Sequence, residues 1–200
     1  MRKWITLAAL LTKTAFGVPI ASSLATTGTA SFFWGQSFTV VSAGPVDHIV
    51  FNFFSDLAAT VPQAAGTGYL FSAAYSGSPG GLAGTVTNLL GTAAAAGNHW
   101  TFNPSLTLQA GTQYFFYTDT FQTTTGSGLN PYAGGQIAFS NDTGTNFAFA
   151  VADAAFLVDG TAAAAGAPEI DPRNGKLSMA LAVCLIGLAL SRTRRELVGS

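Results

Sequence analysis

The chain has 200 residues, of which only 8% are charged and 48% are hydrophobic, and its formal net charge is −1. All eight basic residues lie at or before Lys13 or at or after Arg173. The long middle part therefore lacks the cations that bind phosphate, which excludes a nucleic-acid-binding protein. Its apolar content is high enough to fill a core, which excludes a disordered chain.

The first element in chain order is a short apolar run behind a basic start, "MRKWITLAALL". This order is typical of a secretory signal peptide, and the small side chains of "SLA" (23–25) or "GTA" (28–30) would allow cleavage. We therefore predict a signal segment over residues 1–30, with the secretion translocon as a partner. An amphipathic N-terminal helix is the alternative, because Lys13 interrupts the apolar run.

Residues 31–159 contain short runs of β-branched and aromatic residues separated by turn residues. The runs are "SFTVV", "HIVFNFF", "TGYLFSAAY", "HWTF", "QYFFYTDTF", "GGQIAFS", "NFAFAV" and "AFLV". Several alternate with a period of two, as Phe147, Phe149 and Val151 do. About eight short strands at this spacing predict an all-β ectodomain, a two-sheet antiparallel sandwich of the jelly-roll type.

The sequence "GTAAAAG" occurs twice, at 91–97 and at 160–166. Four alanines between glycines are too few to hold a helix, because helix nucleation is costly. We predict that the first copy is a loop before the strand "HWTF". The second copy is predicted to be a Gly/Ala linker that follows the sandwich.

The last part of the chain has a proline-acid stretch, "APEIDP", an apolar run over residues 177–190, and a basic cluster. The cluster consists of Arg192, Arg194 and Arg195. A helix over the apolar run would span roughly 21 Å, less than the roughly 30 Å of a hydrocarbon core, but the run shows no polar helical face. Arginines at its end stay in the cytoplasm under the positive-inside rule. We predict a single transmembrane helix with the sandwich outside the cell.

These features together resemble the PEP-CTERM sorting tail of bacterial envelope and exported proteins, over residues 167–195. The motif residues are Pro168, Glu169, Asp171 and Pro172, and Ile170 stands where the usual tail has a second proline. Both prolines disfavour helix in the residue before them, so the motif should be extended. The resemblance implies processing by an exosortase, an integral-membrane cysteine peptidase, after transient anchoring in the inner membrane. A permanent tail anchor is the alternative.

The middle of the chain resembles the jelly-roll ectodomains that often precede such tails. The resemblance rests on "GQSFTV", "HIVFNFFSD", "GYLFSAAYSG", "LTLQAGTQYFFYTD" and "NPYAGG". It implies a fold and a location, the cell envelope, surface or extracellular matrix, and no particular activity.

Catalytic chemistry is not indicated. His48 and His99 are the only histidines, and His48 and its neighbour Asp47 should point to opposite faces of a strand. Neither a Ser-His-Asp set nor a zinc site has visible partners. We predict a protein that is not an enzyme, and a polysaccharide-active enzyme is the distant alternative.

Two ligand classes remain open. The turn "SNDTGTN" (140–146) offers oxygen ligands to calcium, with Asp142 as the candidate ligand, although an Asx-turn explains the same residues without metal. No other cofactor is predicted. A carbohydrate-binding module for extracellular polysaccharide is the alternative to a structural or adhesive role. The candidate sugar contacts are Trp100 and Tyr132, with Tyr75 and Tyr117 as further aromatic side chains.

Overall fold

The described part of the protein consists mostly of antiparallel strands. The computed structural model of the chain describes residues 17–141 and 143–163. Strands contain 53% of these residues and helix 4%. The strands are β1 (Val18–Ser23), β2 (Gly28–Thr39), β3 (Val46–Phe54), β4 (Pro62–Gln63), β5 (Thr67–Phe71), β6 (Leu89–Ala96), β7 (His99–Thr101), β8 (Gln113–Ser127), β9 (Ile137–Ser140), β10 (Ala148–Ala150), β11 (Asp153–Ala154) and β12 (Phe156–Ala162), with a 3-10 helix at Pro79–Gly84.

The described strands form one curled sheet. Their order is β1-β12-β3-β7-β6-β5-β8-β2-β9-β10, with β4 on β3 and β11 on β8. We divide the sheet into two halves, one that contains β3 and β12 and one that contains β8 and β2. The run from β11 to β12 joins these halves, because β11 pairs with β8 and β12 pairs with β3. Between them, the Ala155 N–H donates to the Thr125 carbonyl and the Phe54 N–H donates to the Ala155 carbonyl. The all-β antiparallel class predicted from the sequence is confirmed, in a sandwich-like arrangement.

An aromatic core fills the space between the two halves. Phe116 of β8 stacks on Phe51 of β3, with ring centroids 3.9 Å apart, although three strands separate β8 from β3 in the sheet order. The Phe116 ring also meets the rings of Phe53, Trp100 and Phe102. All five side chains are almost completely buried. Because residues 17–163 include no lysine or arginine, apolar burial and backbone hydrogen bonds hold this structure together.

Each of the eight predicted runs contributes residues to a strand, but β6 shows where the prediction was wrong. The first "GTAAAAG" copy, predicted to be a loop, belongs to β6 and pairs with β5 on one side and β7 on the other. Gly97, with a φ of 66°, then turns the chain into β7. Alanine has little intrinsic preference for strands, so the two neighbouring strands and not local propensity determine this conformation.

The sheet extends past both predicted limits of the sandwich. Strand β1 and the start of β2 lie within residues 1–30, and β12 runs three residues into the predicted linker. Residues 1–16 and 164–200, which contain most of the predicted signal segment and the whole predicted sorting tail, lie outside the described residues. Within residues 17–141 and 143–163, no helix has both the length and the hydropathy needed to cross a membrane.

Candidate functional site

The two ends of the sheet are distinguished by the residues that lie at each of them. At one, which we name the terminal end, β1 begins opposite Gly160 and the Ala163 N–H donates to the Pro45 carbonyl. At the other, the distal end, the Thr26 hydroxyl donates to the Leu57 carbonyl and the Thr27 N–H donates to the Gly126 carbonyl. The described chain therefore enters and leaves the sheet at the terminal end.

A polar cleft of about 520 Å³ is formed by β2, β8, β10 and the loops before β6 and β9. The rings of Phe115 and Phe149, both half-buried, meet edge to face with centroids 6.2 Å apart. The Ser37 hydroxyl donates to the Gln136 carbonyl at 3.1 Å and accepts from the Gln136 N–H at 2.8 Å. The polar side chains that line the cleft are Ser37, Gln113, Asn130 and Gln136.

The lining of the polar cleft suits an uncharged, hydroxyl-rich ligand. Amide side chains donate and accept hydrogen bonds at once, and aromatic rings pack against apolar faces. Among the described residues, no charged side chain lines this cleft. It therefore has no carboxylate pair for glycoside hydrolysis.

A second, apolar pocket of about 310 Å³ lies at the distal end, where residues 27–28 and 126–128 border it. The Phe32 ring lines this pocket and packs against the rings of Trp34 and Phe139, whose centroids lie 5.3 Å and 5.1 Å from its own. The Trp34 indole N–H is already bonded to the Gln122 carbonyl at 2.8 Å. This pocket can hold an apolar group but offers little to orient a polar one.

Asp153 of β11 is a buried carboxylate beside the apolar pocket. It is 1% exposed and accepts hydrogen bonds from the Gln36 amide and the Tyr132 N–H, both at 2.9 Å. Burial raises the pKa of this carboxyl, and the bonds from Tyr132 and Gln36 oppose that rise. Gln36 also accepts from the Ala154 N–H at 3.0 Å, so its amide joins β2 to β11.

We expect the free energy of unfolding to decrease as pH rises through the folded pKa of Asp153. In the unfolded chain this carboxyl has the ordinary pKa of 3.8, so it loses its proton at a lower pH than in the folded protein. Rising pH therefore stabilises the unfolded state relative to the folded state. Asp153→Asn should flatten this slope, which urea titrations at several values between about pH 4 and pH 8 would measure. Asp159 is half-buried and its pKa is also raised by burial, so a smaller dependence of stability on pH should remain in the variant. An unchanged slope in Asp153→Asn would contradict this assignment.

The aromatic side chains proposed from the sequence as sugar contacts are largely occupied inside the fold. Trp100 is 0% exposed, its ring packs on Phe53 and Phe116, and it presents no face to a ligand. Tyr132 is half-buried, and its hydroxyl both accepts from the Thr39 N–H and donates to the Thr39 carbonyl, each at 3.0 Å. Tyr117 is completely buried.

The expectation that Asp47 and His48 point to opposite faces was wrong. His48 has a φ of 52°, which breaks the alternation of the strand, and its Nδ1 lies 2.7 Å from Asp47 Oδ1. The Thr161 hydroxyl donates to the same carboxylate at 2.5 Å, and these two bonds lower the pKa of Asp47. Thr161 Oγ1 and Asp47 Oδ1 both lie next to the same ring nitrogen, Nδ1 of His48. A catalytic proton relay passes through both ring nitrogens, and this arrangement is not of that kind. The cluster is therefore a surface link between β3 and β12.

The described aspartates do not converge on one point that could hold calcium. Asp56 accepts from the Thr60 N–H, the Thr60 hydroxyl and the Val61 N–H, which fixes its own turn and lowers its pKa. Among residues 17–141 and 143–163, no group of three or more His, Cys, Asp or Glu side chains is positioned to hold a metal. Asp142 lies outside the described residues. The sorting motif and basic cluster also lie outside them: Pro168, Glu169, Asp171, Pro172, Arg192, Arg194 and Arg195.

The sequence prediction missed the residues of the polar cleft because none of them stands out locally. Gln113, Phe115 and Phe149 belong to ordinary strand runs, and only pairing across β8, β2, β9 and β10 brings them near Gln136. The one available signal was the alternation of Phe147 and Phe149, which does not tell the inner face from the outer one. No protein-family model, no curated protein and no solved structure matches this chain.

Proposed function

We propose that this is an exported, non-catalytic protein with a structural or adhesive role at the bacterial surface or in the extracellular matrix. An exosortase sorts it through the tail at residues 167–195. The observation that carries the proposal is the charge segregation: no lysine or arginine lies between Thr14 and Pro172, whereas three basic residues precede this stretch and five follow it. Basic residues beside apolar runs are the usual determinants of membrane topology.

The position of the two ends of the described part of the chain supports this proposal. Gly17, before β1, lies against Asp159 and Gly160, and Ala163 follows β12 directly. The described part of the chain thus begins and ends at the terminal end of the sheet, which suits a precursor with topogenic segments on both sides of the sandwich. We also propose that the curled sheet is a jelly-roll-type sandwich, with the distal end available to partners outside the cell.

The test of sorting is the mass of the mature C-terminal peptide, measured separately in envelope and medium fractions of the native host. We expect a terminus near Pro168 or Glu169, with the three arginines of the tail missing. Replacing Pro168 and Glu169 by alanine should keep the tail on the protein, whereas Asp159→Asn, outside the motif, should not. A terminus at Ser200 in the membrane fraction would leave a tail-anchored ectodomain and refute the sorting proposal.

Carbohydrate binding is the second candidate function, and the polar cleft is the observation that favours it. Four polar side chains and two aromatic rings line one uncharged concavity of a size that suits a ligand. The ligand we propose is a neutral polysaccharide segment, held by amide hydrogen bonds and by the Phe115 and Phe149 rings.

Glycan arrays and polysaccharide pull-downs with the purified protein would test this candidate. Phe149→Ala and Gln136→Ala should each weaken binding by roughly fivefold or more, the effect of losing about 1 kcal/mol. Gln109→Ala is the matched control, since Gln109 is exposed and does not line the cleft. Binding that survives both cleft substitutions would exclude this site, and no binding to any glycan would leave the structural role.

A further inference from the structure

We infer that the leader is cut immediately before Val18, so that β1 is the first strand of the mature protein. The inference rests on the proposed export, and it replaces cleavage after residue 25 or 30 by cleavage at a site that preserves the whole sheet.

Strand β1 is an integral part of the fold. It pairs with β12 from Val18 opposite Gly160 to Ser23 opposite Phe156. On its other side the Val41 N–H donates to the Ile20 carbonyl at 2.8 Å, which links β1 to the end of β2. Ile20 and Ala21, 2% and 5% exposed, belong to the main core.

Cleavage at either later site would remove these contacts. A cut after residue 25 deletes all of β1, leaving the edge of β12 unpaired and opening the core beside Gly160, which the Ile20 side chain covers. A cut after residue 30 also deletes the Thr26 bond to Leu57, the Thr27 bond to Gly126, and the first pairs of β2 with β8. An unpaired strand edge of this kind is a liability for aggregation.

The residues before Val18 satisfy the requirement for small side chains at a signal cleavage site. Ala15 and Gly17 stand at the third and first positions before the cut, behind the apolar run. This is the A-x-A-like pattern of a signal-peptide cleavage site. The cleavage pattern therefore ends, and the first strand begins, at the peptide bond between Gly17 and Val18.

The N-terminal peptide mass of the exported protein is the direct test. We expect it to begin at Val18. Gly17→Leu should block the cut, so that precursor accumulates, and the matched control Ala25→Leu should still yield Val18. An N-terminus at Thr26 or Ser31 overturns the inference while export stands. An uncut Met1 on protein that stays in the cytoplasm overturns the export proposal instead.

A second measurement asks whether β1 is present in the mature fold. Ile20→Asn places a polar group in the core and should lower the melting temperature of the exported protein by roughly 10 °C. Ser22→Asn, on the exposed face of the same strand, should leave it nearly unchanged. If cleavage removes β1, both variants yield the same mature protein with an unchanged melting temperature, and the inference is refuted.

Discussion

Replacing Phe116 with alanine is expected to lower the free energy of unfolding by roughly 3–5 kcal/mol, the range for a large aromatic residue deleted from a core. Phe116 is 0% exposed and its ring meets four other rings, of which Phe51 and Phe53 lie on β3 in the facing half of the sheet. The substitution leaves a cavity where the two halves pack against each other. Urea unfolding monitored by circular dichroism would measure the loss.

Phe121→Ala is the matched control for this prediction, because Phe121 is the same residue type on the same strand. It is 42% exposed and meets the Phe33 ring, with centroids 5.6 Å apart. We expect a loss below about 1.5 kcal/mol, since burial of the side chain is only partial. Equal losses in the two variants would show that the ring cluster around Phe116 is not the main source of stability.

Gly135→Ala is the second substitution with a large expected effect. A Cβ atom at Gly135 would lie 1.8 Å from the Ser37 carbonyl oxygen and 2.5 Å from the Ser37 carbonyl carbon. The Ser37 backbone cannot easily move away from the added carbon. Its N–H donates to the Gln136 carbonyl at 2.9 Å, and β2 pairs with both β8 and β9. We expect destabilisation of roughly 3 kcal/mol, at the upper end of the usual cost of overpacking.

The control for Gly135 is Gly128→Ala, where no atom lies within 4 Å of the added carbon. Its effect should stay within about 0.5 kcal/mol, as for most surface substitutions. Thermal unfolding of both variants gives the comparison. Since Gly135 lines the polar cleft, Gly135→Ala should also weaken any glycan binding there. A Gly135→Ala protein as stable as wild type would contradict the prediction that the Ser37 carbonyl leaves no room for a Cβ atom at this position.

The described carboxylates are stabilised mainly by hydroxyl and amide donors, without lysine or arginine partners. Asp119 accepts from the Thr67 N–H at 2.8 Å and from the Tyr69 hydroxyl at 3.1 Å, while Asp47 and Asp56 use threonine hydroxyls in the same way. Hydrogen bonds to a charged group contribute more than those between neutral groups. A domain with no lysine or arginine thus fixes its turns and strand ends with hydroxyl and amide donors.

Opposite pKa shifts give the fold a defined pH preference. Asp47 and Asp56 have lowered pKa values, so the stability they contribute is lost as pH falls through those values. Asp153 and Asp159 have raised pKa values, so their contribution is lost as pH rises. We therefore expect maximal stability at mildly acidic pH rather than at neutrality.

The sequence by itself determined the class of the fold and the positions of most strands. Runs such as "HIVFNFF" and "QYFFYTDTF" became β3 and β8 because β-branched and aromatic residues favour a pleated, half-buried backbone. The segregation of basic residues and the proline-acid motif are also properties of the sequence alone, and the export and sorting proposals depend on them.

Only the tertiary structure decided which strands exist without a local signal and which faces point inward. The alanines of β6 and the residues of β1 form strands because partners distant in sequence supply their hydrogen bonds. Trp100 lies in the core and Phe149 lines the polar cleft, although both come from runs with the same alternation. A shift of one residue in strand register exchanges the two faces, so pairing across the sheet, and not composition, fixed the site.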